Sequence, residues 1–170
     1  MDDKRIVIIM GVSGSGKTTM GQLLSQRLGW DFVDGDDHHP PENISKMTQG
    51  KPLNDLDRMP WLDKLRVIID DSLANSRPLV LACSALKSAY RQILGVERPG
   101  IVLIYLKGSY DLIQRRMVSR QKHFMGSAML NSQFQILEEP DHALIIDIEN
   151  IIEDNLSKVI EYLDQRYREP

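Results

Sequence analysis

Five short apolar runs divide the chain into segments of comparable size. None of them alternates strictly between apolar and polar residues, which is the pattern of a sheet with one face in water. Continuous apolar runs are typical of strands covered on both faces, as in a parallel sheet between layers of helices. The pattern therefore predicts five buried parallel strands, at Arg5–Met10, Asp31–Asp34, Pro78–Ala82, Ile101–Leu106 and Ala143–Asp147.

Helical spacing of apolar residues fills the stretches between these runs. The first helix follows the first strand and carries its stripe at Met20, Leu23, Leu24 and Leu28. The second begins at Pro60, a residue favoured in the first helical turn, and continues the stripe at Leu62, Leu65, Ile69 and Leu73. Strands that alternate with helices predict an α/β fold: a five-stranded parallel sheet flanked by helices in three layers. No linker or repeat interrupts the pattern, so residues 1–170 are predicted to form one domain.

Two later helices complete this pattern. Ser109 is a suitable N-cap for a helix that reaches Arg120, with Asp111 in its positively polarised first turn. The last helix has the clearest stripe in the chain, at Ile148, Ile151, Ile152, Leu156, Val159, Ile160 and Leu163.

Two polar segments interrupt the alternation of strands and helices. The first, His38–Met59, is rich in Pro, Asn, Asp and Gly, and a short helix is predicted within it at Pro41–Gln49. The second, Gln121–Asn131, is polar, basic and irregular. Both segments follow the carboxyl ends of strands, where open α/β sheets bind their ligands. We expect the first to form a substrate pocket and the second, at about 121–131, to be a lid.

Composition excludes several classes of function. The net charge is −3, with 21 basic and 24 acidic residues, and no basic stripe marks a nucleic-acid binder. The single cysteine, Cys83, cannot form an intrachain disulfide and fits a reducing compartment. The apolar run Ile6–Met10 is too short to span a membrane or to form a signal-peptide core. The prediction is a cytoplasmic protein that binds neither nucleic acid nor membranes.

A complete phosphate-binding motif lies between the first strand and the first helix. Its residues are Gly11, Val12, Ser13, Gly14, Ser15, Gly16, Lys17 and Thr18, which match G-x-x-x-x-G-K-[ST]. Glycines let the backbone turn its N–H groups toward an anion at the helix N-terminus, where the dipole also favours negative charge. Lys17 can reach the β- and γ-phosphates, and the Thr18 hydroxyl can ligate Mg²⁺. The motif predicts that the chain binds ATP with Mg²⁺.

Acidic residues after the second strand indicate the kind of phosphate-loop protein. The strands Pro78–Ala82 and Ile101–Leu106 end without the carboxylate of motor ATPases, and no guanine-reading N-K-x-D motif occurs. Asp34, Asp36 and Asp37 would instead face the γ-phosphate, as a small-molecule kinase requires. Asp36 is the candidate hydroxyl anchor and general base, and Asp34 the candidate for orienting Mg²⁺-bound water. A solvated acidic loop is the alternative interpretation.

Arg116 and Arg120 lie four residues apart before the predicted lid, so both are candidates for contacts with the adenine ring and the phosphates. A solvated basic helix face is the alternative. His38 and His39 do not have the spacing of a transition-metal site.

Three blocks of sequence resemble the gluconate kinase family. The first is Asp34-Gly35-Asp36-x-x-His39-Pro40, continued by Asn43, Lys46-Met47, Gly50, Pro52-Leu53 and Asp55-x-Asp57-Arg58-x-Pro60-Trp61-Leu62. The second is Cys83-Ser84-Ala85-Leu86-Lys87-x-x-Tyr90-Arg91. The third is Arg116-x-x-x-Arg120-x-x-His123-Phe124, followed by Gln133-Phe134 and Glu139-Pro140.

The resemblance implies a fold similar to adenylate and shikimate kinases and ATP-dependent phosphorylation of D-gluconate at its 6-hydroxyl. It implies a cytoplasmic homodimer as well. By this resemblance Asp34 lies near Mg²⁺, Asp36, His39 and Arg58 lie at the substrate, and Arg116 and Arg120 lie at the nucleotide.

A sugar acid needs fixed cations for its carboxylate, and the candidates are Arg58, Lys87 and Arg91. Lys87 and Arg91 are four residues apart, so both are predicted to project from one face of the helix after strand Pro78–Ala82. A solvated basic face is again the alternative.

Two other functions compete with the gluconate kinase hypothesis. A related metabolite or nucleotide kinase is disfavoured by the segments Asp55–Leu62 and Cys83–Arg91, which do not resemble shikimate or nucleoside-monophosphate kinases. A regulatory ATP-binding module without transfer activity is disfavoured by the intact Lys17, Thr18, Asp34 and Asp36.

Overall fold

All five predicted strands are present and form one parallel sheet. The computed structural model describes residues 5–119 and 126–168. The strands are β1 (Ile6–Met10), β2 (Asp31–Asp34), β3 (Leu79–Ala82), β4 (Ile101–Lys107) and β5 (Leu144–Asp147), in the order β2-β3-β1-β4-β5. The predicted α/β class and the five-stranded parallel sheet are confirmed.

Seven helices are found among the described residues, and a 3₁₀ turn at Gly35–His38 follows β2. The helices are α1 (Lys17–Leu28), α2 (Pro41–Thr48), α3 (Asp55–Ala74), α4 (Ser88–Leu94), α5 (Tyr110–Ser119), α6 (Ser127–Ile136) and α7 (Ile152–Arg168).

The central strand β1 separates two hydrophobic cores. Val7 and Ile9 point to a core that includes Leu24 of α1 and Val159 of α7. Ile6, Ile8 and Met10 point to the opposite core, built with side chains of α3 and α4. All five β1 residues are fully buried, which explains why this strand reads as a continuous apolar run. The sheet is therefore the middle of three layers.

The start of α3 differs from the prediction. The helix begins at Asp55, and Pro60 lies inside it instead of opening it. A capping box fixes this start: the Asp57 amide donates to Asn54 Oδ1 at 2.8 Å, and the Asn54 amide donates to Asp57 Oδ2 at 2.9 Å. These two bonds satisfy backbone N–H groups that have no partner within the helix, and they therefore determine where α3 begins.

Two further boundaries are corrected. The predicted stripe of the last helix began at Ile148, but α7 starts at Ile152; Ile148 is buried in the preceding loop and Ile151 is exposed. Of the predicted irregular lid, residues 127–131 belong to α6. The rest of the lid before Gly126, and Arg120, lie outside the described residues.

Ser109 caps α5 as predicted, because its Oγ accepts a hydrogen bond from the Leu112 amide at 3.2 Å. The described residues contain no helix that is long and apolar enough to cross a membrane.

Candidate active site

The phosphate loop joins β1 to the N-terminus of α1 in a tight turn. Gly16 occupies the N-cap position of α1 with φ of 96°, a conformation that favours glycine. Gly11 is closely enclosed, since a Cβ there would lie 3.0 Å from the Leu106 carbonyl oxygen and 2.6 Å from Ser15 Oγ. The loop therefore needs glycine at both positions to point its backbone toward an anion at the helix N-terminus.

Lys17 folds back over this loop. Its ammonium group donates to the Val12 carbonyl at 3.0 Å. Burial lowers the pKa of Lys17, while Asp36, Cys83 and Asp34 oppose that shift by favouring the positive charge. Lys17 is thus held beside the two carboxylates that the sequence singled out, at the anion-binding face of the loop.

Thr18 and Asp34 form the part of the site suited to a divalent cation. The Thr18 hydroxyl donates to Asp34 Oδ2 at 2.7 Å, and Asp34 Oδ1 accepts from the Asp36 amide at 3.0 Å. No group of three or more metal-ligating His, Cys, Asp or Glu side chains occurs within residues 5–119 and 126–168. A hydroxyl next to one carboxylate fits Mg²⁺, which prefers oxygen ligands and keeps part of its water shell.

Asp36 lies at the mouth of a small cavity in front of the phosphate loop. Asp36 is an exposed residue, but the surrounding protein raises the pKa of its carboxyl group. Desolvation is the main cause, the positive charge of Lys17 opposes it, and the neighbouring Asp34 and Asp37 add to it. A carboxylate with a raised pKa is a better proton acceptor than an ordinary surface aspartate.

A stacked pair of aromatic rings forms one wall of this cavity. The His39 ring lies on Trp61 with a centroid distance of 4.2 Å, and the Trp61 indole donates to the Gly35 carbonyl at 2.7 Å. Burial, helped by the charge of Arg58, lowers the pKa of His39 to about 4. His39 is therefore neutral near pH 7. Its Nδ1 lies 3.3 Å from Asn43 Nδ2, whose amide also donates to the Asp57 carbonyl at 2.8 Å.

Arg58 supplies the buried positive charge of the cavity. Its side chain donates to the Leu53 carbonyl at 2.5 Å and to the Tyr90 hydroxyl at 3.4 Å, and its guanidinium lies 5.5 Å from the centre of the Tyr90 ring. No carboxylate of the described residues lies within ion-pair distance of this guanidinium. The charge of Arg58 contributes to the lowered pKa of the nearby Asp55 and Asp57, but neither carboxylate is its ion-pair partner, so the guanidinium can still pair with an anionic ligand.

The cavity brings residues from both halves of the chain together. It is lined by Ser13, Lys17, Asp36, His39, Met47, Leu53, Arg58, Trp61, Ser84, Met129 and Gln133.

Comparison with known proteins shows which family the chain belongs to. A model of the family described as shikimate kinase matches residues 13–167. The chain is 45% identical over 157 residues to a probable gluconokinase of Mus musculus, covering 82% of this chain and 85% of that protein. It is 39% identical to the thermoresistant gluconokinase of Escherichia coli K12, covering 95% and 94% of the two chains.

A solved structure agrees. The gluconokinase from Sinorhizobium meliloti 1021 superposes with a TM-score of 0.80 at 37% identity, covering 96% of this chain and 97% of that one. The chain belongs to the gluconokinase family. This family lies within the shikimate kinase-like phosphate-loop kinases, so the predicted resemblance, the kinase class and the phosphate-loop kinase fold are confirmed.

Arg116 of this gluconokinase family member lies outside the cavity, beside the loop before α7. Its guanidinium donates to the Ile148 carbonyl at 2.6 Å. The neighbouring Met117 packs against Gly14, where a Cβ would come within 2.8 Å of Met117 Cγ. Helix α5, which carries Arg116, therefore packs against the phosphate loop at Gly14. Its nucleotide contact stays a prediction, as does that of Arg120.

Lys87 and Arg91 do not line the cavity. Lys87 is the N-cap residue of α4 and donates to Asp55 Oδ1 at 2.9 Å. Arg91 is 6% exposed and donates to the Ala85 and Leu86 carbonyls at 2.9 and 3.1 Å. Lys87 stands one residue before the helix, and the Arg91 amide donates to its carbonyl at 3.1 Å, so the two residues are one turn apart but have different partners. The structure thus leaves Arg58 as the one of the three candidate cations that lines the cavity.

Sequence reasoning missed the role of Gln133. Its side-chain oxygen accepts a hydrogen bond from the Ser13 amide at 2.6 Å, across 120 residues of chain. Gln133 belongs to the third block of sequence that resembles the gluconate kinase family, but the resemblance implied no role for it. A polar residue among the buried Met129 and Leu130 of α6 is the signal that could have identified it.

Proposed function

We propose that the chain transfers the γ-phosphoryl group of ATP to the 6-hydroxyl of D-gluconate, giving 6-phosphogluconate and ADP. The observation that carries the proposal is one cavity in which Lys17 of the phosphate loop, Asp36 and the buried Arg58 meet. Lys17 serves the phosphates, Asp36 the hydroxyl and Arg58 a negative charge. The curated relatives support gluconate as the acceptor.

The phosphate loop and Lys17 bind and orient the ATP phosphates in this proposal. Backbone N–H groups at the start of α1 point at the anion, and the Lys17 ammonium stabilises the charge that develops on the transferred group. The Val12 carbonyl that now accepts from Lys17 is a weak competitor for a phosphate oxygen, because the latter is charged.

Thr18 and Asp34 are the residues that would hold Mg²⁺, Thr18 through its hydroxyl and Asp34 through water. When bound beside ATP, the cation neutralises part of the phosphate charge. The hydrogen bond between Thr18 and Asp34 already places both oxygens at the N-terminus of α1.

Asp36 receives the acceptor hydroxyl. As the hydroxyl oxygen forms its bond to the γ-phosphorus, the bond between that phosphorus and the ADP oxygen breaks, and Asp36 takes the hydroxyl proton. The carboxylate must be ionised to do so, and its raised pKa makes it a stronger base.

Arg58 and His39 recognise the rest of gluconate. The Arg58 guanidinium, bonded to the Leu53 carbonyl and stacked near Tyr90, pairs with the substrate carboxylate. Neutral His39, held against Trp61, hydrogen-bonds a hydroxyl group. A neutral sugar would leave the Arg58 charge buried and unpaired, so the cavity discriminates against glucose.

The predicted roles of Lys87 and Arg91 at the carboxylate, and of Arg116 and Arg120 at the nucleotide, stay predictions. The packing of Met117, next to Arg116, beside Gly14 supports a position of Arg116 near the nucleotide. The homodimer and the cytoplasmic location likewise stay predictions, and we propose no nucleic-acid or membrane partner.

A coupled assay of ADP release tests the proposed function. The purified protein receives ATP and Mg²⁺ with D-gluconate, D-glucose, shikimate or a nucleoside monophosphate, and a reaction without acceptor measures hydrolysis. We expect rapid ADP release with gluconate and at least about 10²-fold lower kcat/KM with glucose, since an unpaired buried charge costs several kcal/mol. Equal rates with shikimate or a nucleotide would contradict the proposal. The absence of transfer to every acceptor would favour the regulatory module.

A further inference from the structure

Gln133 is fixed at the junction between the phosphate loop and the acceptor cavity. It is 9% exposed, and its side chain lines the cavity together with Asp36 and Arg58. Among the described residues it is the only side chain that bonds a backbone amide of the phosphate loop itself, at Ser13. Neither the motif nor the proposed transfer step requires a glutamine at this place.

The contact with Ser13 determines the orientation of the Gln133 amide. A backbone N–H can only donate, so the atom of Gln133 that faces Ser13 at 2.6 Å must be the oxygen. The nitrogen Nε2 then points away from the loop. It has two N–H donors, and no acceptor within the described part of the chain is within hydrogen-bond distance of it.

Helix α6 holds Gln133 firmly in this orientation. Met129, one turn earlier on the same helix, also lines the cavity and is 3% exposed, while Leu130 is fully buried. The ring of the next residue, Phe134, packs edge-on against Tyr110 at a centroid distance of 5.5 Å. A polar group held by packing on a helix is preorganised for a ligand, because little conformational entropy remains to be lost.

We propose that Gln133 is a substrate-binding residue whose Nε2 donates a hydrogen bond to one hydroxyl oxygen of the acceptor. The Ser13 amide holds the other end of the side chain, so the same residue connects the position of the acceptor to that of the phosphate loop. A polyol has a hydroxyl on nearly every carbon, and its binding requires donors of this kind. The inference rests on the proposed function, and it adds a contact to a hydroxyl that is not phosphorylated.

The experiment pairs one substitution with a series of substrates. Gln133→Met keeps the volume of the side chain and removes both amide groups. kcat/KM is measured for wild type and variant with D-gluconate and with the 2-, 3-, 4- and 5-deoxy analogues, each of which lacks one hydroxyl. For the hydroxyl that Gln133 contacts, the deoxy analogue should be about fivefold poorer than gluconate in the wild type and equal to gluconate in the variant, since one hydrogen bond is worth about 1 kcal/mol.

Comparing ratios removes unrelated effects. Any change in ATP binding or in the fraction of folded enzyme applies equally to gluconate and its analogues, so it cancels in the ratio of their kcat/KM values. Gln135→Met is the matched control, because Gln135 lies on the same helix and is exposed. All deoxy penalties should persist in that control.

The inference is overturned if every deoxy penalty in Gln133→Met equals that of the wild type, whatever the change in absolute activity. Gln133 would then only tie α6 to the phosphate loop. If Gln133→Met does not fold, Gln133→Asn is used, since it keeps the amide but withdraws it by one methylene, and the same comparison decides. A wild type that does not phosphorylate gluconate overturns the proposed function and this inference together, whereas unchanged penalties overturn this inference alone.

Discussion

The nucleotide half of the site and its acceptor half are built in different ways. The nucleotide half is one stretch of eight residues, 11–18, between β1 and α1. The acceptor half, as we propose it, takes Asp36 from the turn after β2, His39 before α2, Arg58 on α3 and Gln133 on α6. The first half needs only a local backbone conformation, whereas the second needs the whole domain to be folded.

This difference separates the binding of the phosphates from the choice of the acceptor. Backbone N–H groups bind phosphate whatever molecule carries it, so the loop is shared by many proteins. The acceptor half depends on charged and polar side chains that neighbours hold in place, such as Arg58 at the Leu53 carbonyl and His39 on Trp61. Substitutions in the first half should therefore lower the rate for every acceptor, and those in the second should alter the choice of acceptor.

The largest effect is expected in the nucleotide half. Lys17→Ala should lower kcat by about 10³-fold for every acceptor, because it removes a positive charge that stabilises the transferred phosphoryl group. The fold should persist, since the ammonium group bonds a carbonyl of its own loop. Stopped assays of ADP formation and thermal unfolding measure the two quantities. A variant with nearly normal kcat would show that this loop does not serve phosphoryl transfer.

Asp36→Asn probes the point where the halves meet. The amide cannot accept the hydroxyl proton, so kcat should fall by about 10²-fold while ATP binding is kept. The pKa of Asp36 is raised, so the wild-type rate should rise with pH as this carboxyl group ionises, and this acid limb should disappear in the variant. An unchanged kcat with a higher KM for gluconate would reduce Asp36 to a hydrogen-bond partner.

Arg58 and Arg91 offer a matched pair of buried arginines. Arg58→Ala should raise the KM for gluconate about 30-fold and leave the KM for ATP nearly unchanged, since a charged hydrogen bond contributes roughly 2 kcal/mol. Arg91→Ala should lower the melting temperature, because the Ala85 and Leu86 carbonyls lose their donor, and change the KM for gluconate by less than about threefold. Kinetics with both substrates decide, and the reverse pattern would assign the carboxylate to Arg91.

The smallest effect concerns His39 and the stability of the acceptor half. Its pKa of about 4 in the folded protein lies below the ordinary value of 6.5. Between those values the unfolded chain binds a proton that the folded protein does not, so the free energy of unfolding should decrease as the pH falls from 6.5 to 4. In His39→Phe, which keeps a ring against Trp61, this decrease should be shallower in urea titrations. An identical pH dependence in both proteins would contradict the low pKa.

The nucleotide half and the sheet could be predicted from sequence because their signals are local. The strand β1 is a continuous apolar run, predicted from Arg5 and observed from Ile6, and the phosphate loop is a contiguous motif. Both depend on neighbours in the chain. Pro60 was misleading as a helix start, since the capping box of Asn54 and Asp57 sets the boundary five residues earlier.

The acceptor half could be predicted only as a set of candidates. Lys87, Arg58 and Arg91 are equally plausible cations in the sequence, and only the folded chain shows that Arg91 bonds two carbonyls while Arg58 lines the cavity. Gln133 has no local signal that identifies Ser13 as its partner, because the two residues are 120 positions apart. Contacts between distant elements determine these roles, and residue spacing does not encode them.

The most direct test of the central claim is to identify the product. D-gluconate labelled with ¹³C is incubated with the protein, ATP and Mg²⁺, and the product is examined by ³¹P and ¹³C NMR. We predict a single phosphomonoester whose phosphorus couples to C6, formed together with ADP. Phosphorus coupled to another carbon, or ADP formed without any phosphorylated gluconate, would contradict the assignment of this cavity as the site of transfer to the 6-hydroxyl.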